Sequence, residues 1–191
     1  MKRTLTILAA GACVLAGLAT SAQAADVSLL RLADSRHFIG LKDGTGDLAR
    51  LLRLRSMLPT GFRLLSGDDA TALAYIANGG DGCISVVSNL APELCQSIFS
   101  NCRLGQPHTA RYLQDRLQPL TAALAKESPA ALKYALCLLG LMSPATRLPL
   151  VELDDSAKAE VASAIAEIGD EDIACPAEGL RGHRFREDHA S

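Results

Sequence analysis

Short apolar runs alternate with helix-spaced patterns through the middle of this chain. Phe38-Ile39-Gly40-Leu41-Lys42 reads as a strand, followed by the turn Asp43-Gly44-Thr45-Gly46. Asp47 opens a helix with Leu48, Leu51, Leu52 and Leu58 on one face and Arg50, Arg53 and Arg55 as a solvated face. Phe62 to Ser66 is a second strand, and Gly67-Asp68-Asp69 caps a helix that stops at Asn78-Gly79-Gly80. Cys83 to Val87 is a third strand, with Pro92 near the start of the next helix. Strand, turn and helix, repeated in this order, is the βα unit of a parallel sheet.

After Gly105 the pattern becomes helical throughout. One helix is predicted from about His108 to Ala125. A second has Ser128 as N-cap, Pro129 in the first turn and Gly140 past its end. A third runs from Asp155 to Ile168, with Val161, Ile165 and Ile168 on one face and Gly169 ending it. Beyond Asp170 no period survives, which predicts a disordered tail. Four units follow: residues 1–24 as a leader, 25–105 as a βα region, 106–169 as a helical domain and 170–191 as a tail.

The leader has the form of an export signal. Lys2 and Arg3 precede an apolar stretch from Leu5 to Leu18, and Ala22-Gln23-Ala24 offers small residues for cleavage. The competing reading is an ordinary helix or a first strand. The apolar run is short for a membrane span, so none is expected. The body has a different character, because Cys83, Cys95, Cys102, Cys137 and Cys175 sit mostly in apolar runs, as small hydrophobes do in a reducing compartment. Export and a cytoplasmic type of body therefore conflict, and location stays open. A net charge of −2 argues against nucleic acid as a partner.

Lys42 is the residue best placed for chemistry. It ends an apolar strand, and a lysine at a strand's carboxyl end that is held away from water becomes a nucleophile toward carbonyls. Gly44-Thr45-Gly46 before a helix could hold an anion through its amides. It lacks the remaining residues of a dinucleotide or P-loop fingerprint. Asp68 and Asp69 read as caps more readily than as a metal pair. His37, His108, His183 and His189 are scattered without ligand partners, and no metal site is predicted. The Gly-x-Ser-x-Gly elbow is absent.

Around Lys42 the run Ile39-Gly40-Leu41-Lys42-Asp43-Gly44-Thr45-Gly46-Asp47-Leu48 resembles the Schiff-base segment of the 4-hydroxy-tetrahydrodipicolinate synthase (dihydrodipicolinate synthase) family. These enzymes belong to the pyruvate-dependent lyases related to N-acetylneuraminate lyase. The resemblance continues through Leu64-Leu65-Ser66-Gly67-Asp68-Asp69-Ala70 and Gly79-Gly80-Asp81-Gly82-Cys83-Ile84-Ser85-Val86. It extends to Leu132-Lys133-Tyr134-Ala135-Leu136-Cys137-Leu138-Leu139-Gly140, and Arg147-Leu148-Pro149-Leu150 fits the family's last linker.

The resemblance implies an α/β fold: a truncated (β/α) TIM barrel of about three C-terminal βα units, followed by a C-terminal helical domain. It implies condensation of pyruvate with aspartate semialdehyde in lysine (diaminopimelate) biosynthesis. By position Lys42 would form the Schiff base, the Ile84 backbone would touch bound pyruvate and Gly67 would line the same pocket. No cofactor is implied beyond the covalent lysine imine with pyruvate. A whole barrel needs roughly 250 residues, and the stretch between Ala24 and Phe38 cannot hold the five βα units the family places before this one. The proton-relay tyrosine and the substrate arginine would lie there, and Tyr75, Tyr112 and Tyr134 do not match the relay motif. The expected partners are the two substrates, with a homo-oligomer or a second chain supplying the front of the barrel. A non-catalytic remnant or exported interaction protein is the alternative.

Overall fold

A computed structural model describes residues 26–169 and residue 173. The leader and nearly all of the expected tail lie outside the described residues.

The first described element is a helix, α1 (residues 26–33), in a stretch the sequence pattern left unassigned. Three βα units follow: β1 (Gly40–Asp43), α2 (Leu48–Met57), β2 (Arg63–Ser66), α3 (Ala72–Ala77), β3 (Gly82–Cys83) and α4 (Pro92–Arg103). The last three helices are α5 (Pro107–Lys126), α6 (Ala130–Leu138) and α7 (Asp155–Ile168). The strands form one parallel sheet in the order β1-β2-β3, with Lys42 opposite Leu65 and Leu65 opposite Gly82.

Alternation along the strands sorts the side chains onto two faces. Leu41, Asp43, Leu64 and Ser66 point to the layer formed by α1, α2 and α3. There Leu29, Leu51, Leu54, Phe62, Leu64 and Tyr75 make a compact apolar cluster. Gly40, Lys42, Leu65, Gly67 and Ile84 share the other face, which none of the described residues covers. A second, larger cluster joins Leu94 and Ile98 of α4 to Leu117, Leu120 and Leu124 of α5, Ala131 and Ala135 of α6, and Val161 and Ala164 of α7.

Several local expectations shift. The third strand is confined to Gly82–Cys83, and the chain turns into a 3-10 helix at Val87–Asn89. The Asp69 carboxylate causes this by accepting the Val86 and Val87 amides at 2.9 and 3.2 Å, which closes a turn where the apolar run suggested extended chain. Ser128 does not cap α6; Pro129 occupies that position and no side chain bonds the first-turn amides. Asp47 and Asp154 do cap α2 and α7, accepting from Arg50 N at 3.1 Å and Ala157 N at 2.7 Å. Gly140 and Gly169 follow their helices at φ 72° and 87°, a conformation that L side chains resist.

Candidate active site

The carboxyl ends of the three strands are tied edge to edge. Gly67 N donates to the Asp43 carbonyl at 2.7 Å, and Ile84 N donates to the Ser66 carbonyl at 2.8 Å. This brings the three residues singled out in the sequence into one row: Lys42 at the end of β1, Gly67 after β2 and Ile84 after β3. The Lys42 side chain lies across Gly67. A Cβ on Gly67 would sit 2.6 Å from Lys42 Cε, 3.0 Å from Lys42 Cγ and 3.2 Å from Gly44 Cα, so a side chain there would push the lysine off this path.

Lys42 is exposed, and Ile84 is 46% exposed. The cause is the open inner face: nothing among the described residues covers this side of the sheet.

The back of the same strand end is built from buried charges. Asp43 is only 2% exposed, and its Oδ1 accepts from Thr45 N at 3.1 Å, Thr45 Oγ1 at 2.8 Å and Arg50 Nη1 at 2.9 Å. Arg50 Nε also bonds Asp26 Oδ1 of α1 at 2.8 Å. Arg50 is thus not part of a solvated face; it is largely buried and joins α1 to the residue following Lys42. Arg55 is likewise engaged, with Asp81 at 2.7 Å and with the Gly79 carbonyl. Sequence periodicity missed this network, because only Asp43 lies beside a residue already under suspicion.

Two amides of the Gly44–Asp47 turn are already engaged. Thr45 N is taken by Asp43, and Asp47 N is taken by Thr45 Oγ1 at 3.2 Å, so the loop ties itself down and offers few donors to an anion. Asp68 Oδ2 accepts from Thr71 N at 3.1 Å and Thr71 Oγ1 at 2.5 Å, and Asp69 braces the turn beyond Ile84. Both aspartates are therefore engaged with local groups, but neither caps α3 as expected, since Thr71 holds the N-cap position without a side-chain hydrogen bond. His37 and His108 are exposed and apart from the site, while His183 and His189 lie outside the described residues. No group of three or more His, Cys, Asp or Glu side chains among the described residues could hold a metal ion.

Other titratable groups near the sheet are poor reactants. Burial pushes the Tyr75 hydroxyl up to about 12, and it sits in the helix-side layer, away from Lys42's face. Burial also raises the Cys83 and Cys95 thiols to about 12 and about 11, which keeps both protonated at neutral pH. Cys83, Cys95, Cys102 and Cys137 are all free thiols. A cavity of about 180 Å³ adjoins the site, between the Gly67–Ala70 and Val86–Val87 loops and Thr121, Leu124 and Ser128.

The chain is 43% identical over 143 residues to the 4-hydroxy-tetrahydrodipicolinate synthase of Afipia carboxidovorans, covering 74% of this chain and 48% of that protein. To the synthase of Bartonella bacilliformis it is 44% identical over 135 residues, covering 70% and 46%. The dihydrodipicolinate synthase structure from Thermotoga maritima superposes with a TM-score of 0.69 at 31% identity, over 72% of this chain and 48% of that one. The chloride-inhibited enzyme from Acinetobacter baumannii, complexed with pyruvate, superposes with a TM-score of 0.71 at 32% identity, over 75% and 50%. The chain spans about half the length of the curated relatives it matches. The model of the dihydrodipicolinate synthetase family matches residues 20–168. With most of its length accounted for in this way, the chain belongs to that family.

Proposed function

We propose that this chain carries the Schiff-base end of a pyruvate-dependent lyase, a 4-hydroxy-tetrahydrodipicolinate synthase acting in lysine (diaminopimelate) biosynthesis. On this reading residues 25–105 are the last three βα units of a (β/α) barrel and residues 106–169 are a helical domain packed along α4. The observation that carries the proposal is the passage of Lys42 over Gly67 at the carboxyl ends of parallel strands, where barrel enzymes hold their chemistry.

The Lys42 amine attacks the ketone carbon of pyruvate. Loss of water then leaves an imine, with no further cofactor. Loss of a methyl proton gives the enamine, whose carbon attacks the aldehyde of aspartate semialdehyde. The Ile84 backbone and Gly67 line the floor under the bound pyruvate.

The openness of the site sets what else is needed. A lysine in water has a pKa near ~10.4, so about one amine in two thousand is neutral at pH 7. Desolvation that lowered it to roughly 7 would raise that fraction about 10³-fold. Covering the inner face supplies the desolvation, and the covering strands also supply a proton relay, typically worth another 10²–10⁴ in rate. The reading predicts that pyruvate and borohydride leave Lys42 unmodified in the chain alone. Once the strands missing from the barrel are supplied, the same reagents add a reduced pyruvate adduct to Lys42, abolished in Lys42→Arg. Peptide mass spectrometry reads both results, and no adduct in the completed barrel would refute the assignment.

A further inference from the structure

Two buried polar atoms in the helix-side layer lack a partner. Asp43 Oδ2 and the Tyr75 hydroxyl have no hydrogen bond among the described residues, although each residue is only 2% exposed. Such groups carry a desolvation cost that nothing offsets, and native proteins nearly always satisfy them. The two share one neighbourhood. Asp43 ends β1 on the face that packs against α2 and α3, and Tyr75 lies in that layer with Leu51, Leu54 and Leu64. Of the charges acting on the hydroxyl, the Asp43 carboxylate is the strongest, ahead of Arg50. Neither side chain is free to turn away. Asp43 Oδ1 is held by Thr45 and Arg50. The Tyr75 ring is backed by Gly80, where a Cβ would run into Cδ1 and come within 2.8 Å of Cε1.

We propose that one enclosed water molecule bridges Tyr75 and Asp43, and that Tyr75 is thereby a positioning residue for the end of β1. The hydroxyl donates to the water, and the water donates to Asp43 Oδ2. The Arg50 guanidinium stands beside the same carboxylate with N–H donors beyond those it gives to Asp26 and Asp43, which suits the water's remaining lone pair. A buried water typically makes about three such bonds. A metal ion suits the place less, because Arg50 already balances the carboxylate and calcium or magnesium takes about six oxygens. The bridge bears on the strand end. The Asp43 side chain holds the turn through Thr45, and its carbonyl accepts Gly67 N at 2.7 Å. Tyr75 on α3 thus reaches the row of Lys42, Gly67 and Ile84 from the opposite face of the sheet, whatever reaction Lys42 performs.

The test is nuclear magnetic resonance on the full chain and on Tyr75→Phe, which keeps the ring and removes the donor. In the unaltered chain the Tyr75 hydroxyl proton should exchange slowly enough to be seen and should show a cross-peak to a long-lived water. Oxygen-17 relaxation dispersion should count fewer long-lived waters in the variant. The Thr45 and Gly67 amides, which donate to Asp43, should exchange about tenfold faster in Tyr75→Phe. Ile84 N, which donates to Ser66, should keep its rate and serves as the internal control. A role in packing alone would leave the Thr45 and Gly67 rates unchanged, and that result overturns the positioning role. A hydroxyl that donates directly to Asp43, or that exchanges freely with bulk solvent, overturns the water site. Both of these outcomes are read on the unaltered chain, so they decide the matter even where Tyr75→Phe does not fold.

Discussion

At Gly67 the requirement is for empty volume. Adding one methyl group would displace the flexible end of Lys42 and press on the Gly44 backbone, an overpacking at the low end of the usual range, about 1 kcal/mol. Gly67→Ala should lower the urea midpoint accordingly. In the completed barrel it should also cut the initial rate of pyruvate trapping at Lys42 by tenfold or more. Asp81 offers a separate test. Partial burial raises its carboxyl, but the Leu64 amide and the Arg55 and Arg63 guanidinium groups outweigh this and hold it at about 2, against 3.8 unperturbed. A depressed pKa stabilises the fold fully above the unfolded value and loses that contribution as pH falls through the folded one. The loss should therefore lie between about pH 4 and pH 2 and amount to about 2 kcal/mol at most, less with solvent screening. Asp81→Asn should flatten the acid limb of the urea midpoint plotted against pH.

Among the elements, α1 depends most on a single side chain. Its Asp26 and the strand-end Asp43 share one guanidinium, Arg50, with both carboxylates nearly buried. Arg50→Met would leave the Asp43 carboxylate without a cation and Asp26 with only Arg53 at 3.7 Å, and breaking a buried pair of this kind costs about 3–5 kcal/mol. Hydrogen exchange should show residues 26–33 and the 43–47 turn losing protection first. None of this was legible in the sequence, since Asp26 and Arg50 are far apart in the chain and α1 carries no strong pattern. The β1, β2, α4, α5 and α7 elements were legible, because caps, prolines and glycines mark their ends locally. The short β3 was not, because its end is set by Asp69 reaching over from the preceding loop. For the candidate site, Lys42 could be found by its place after an apolar run. Gly67 and Ile84 needed the family resemblance, and the exposure of Lys42 and Ile84 could only follow from which strands stand beside them.

Across the whole molecule, α4 links the two halves of the structure. Ile98 is fully buried in the cluster it shares with α5, α6 and α7. Ile98→Ala should lose about 2–5 kcal/mol. Calorimetry should show the helical layer and the sheet melting together, as one transition at lower temperature. Separate transitions would show that the helical layer folds independently of the strands.

The bare inner side of the sheet also has a meaning for the life of the chain in a cell. A partly apolar β surface that none of the described residues covers is what chaperones and proteases recognise on incomplete folds. Copies made in excess of whatever shields that surface should be short-lived or end in the insoluble fraction. The soluble amount would then report how much of the shielding component the cell supplies, and the strength of the gene's own promoter would matter little.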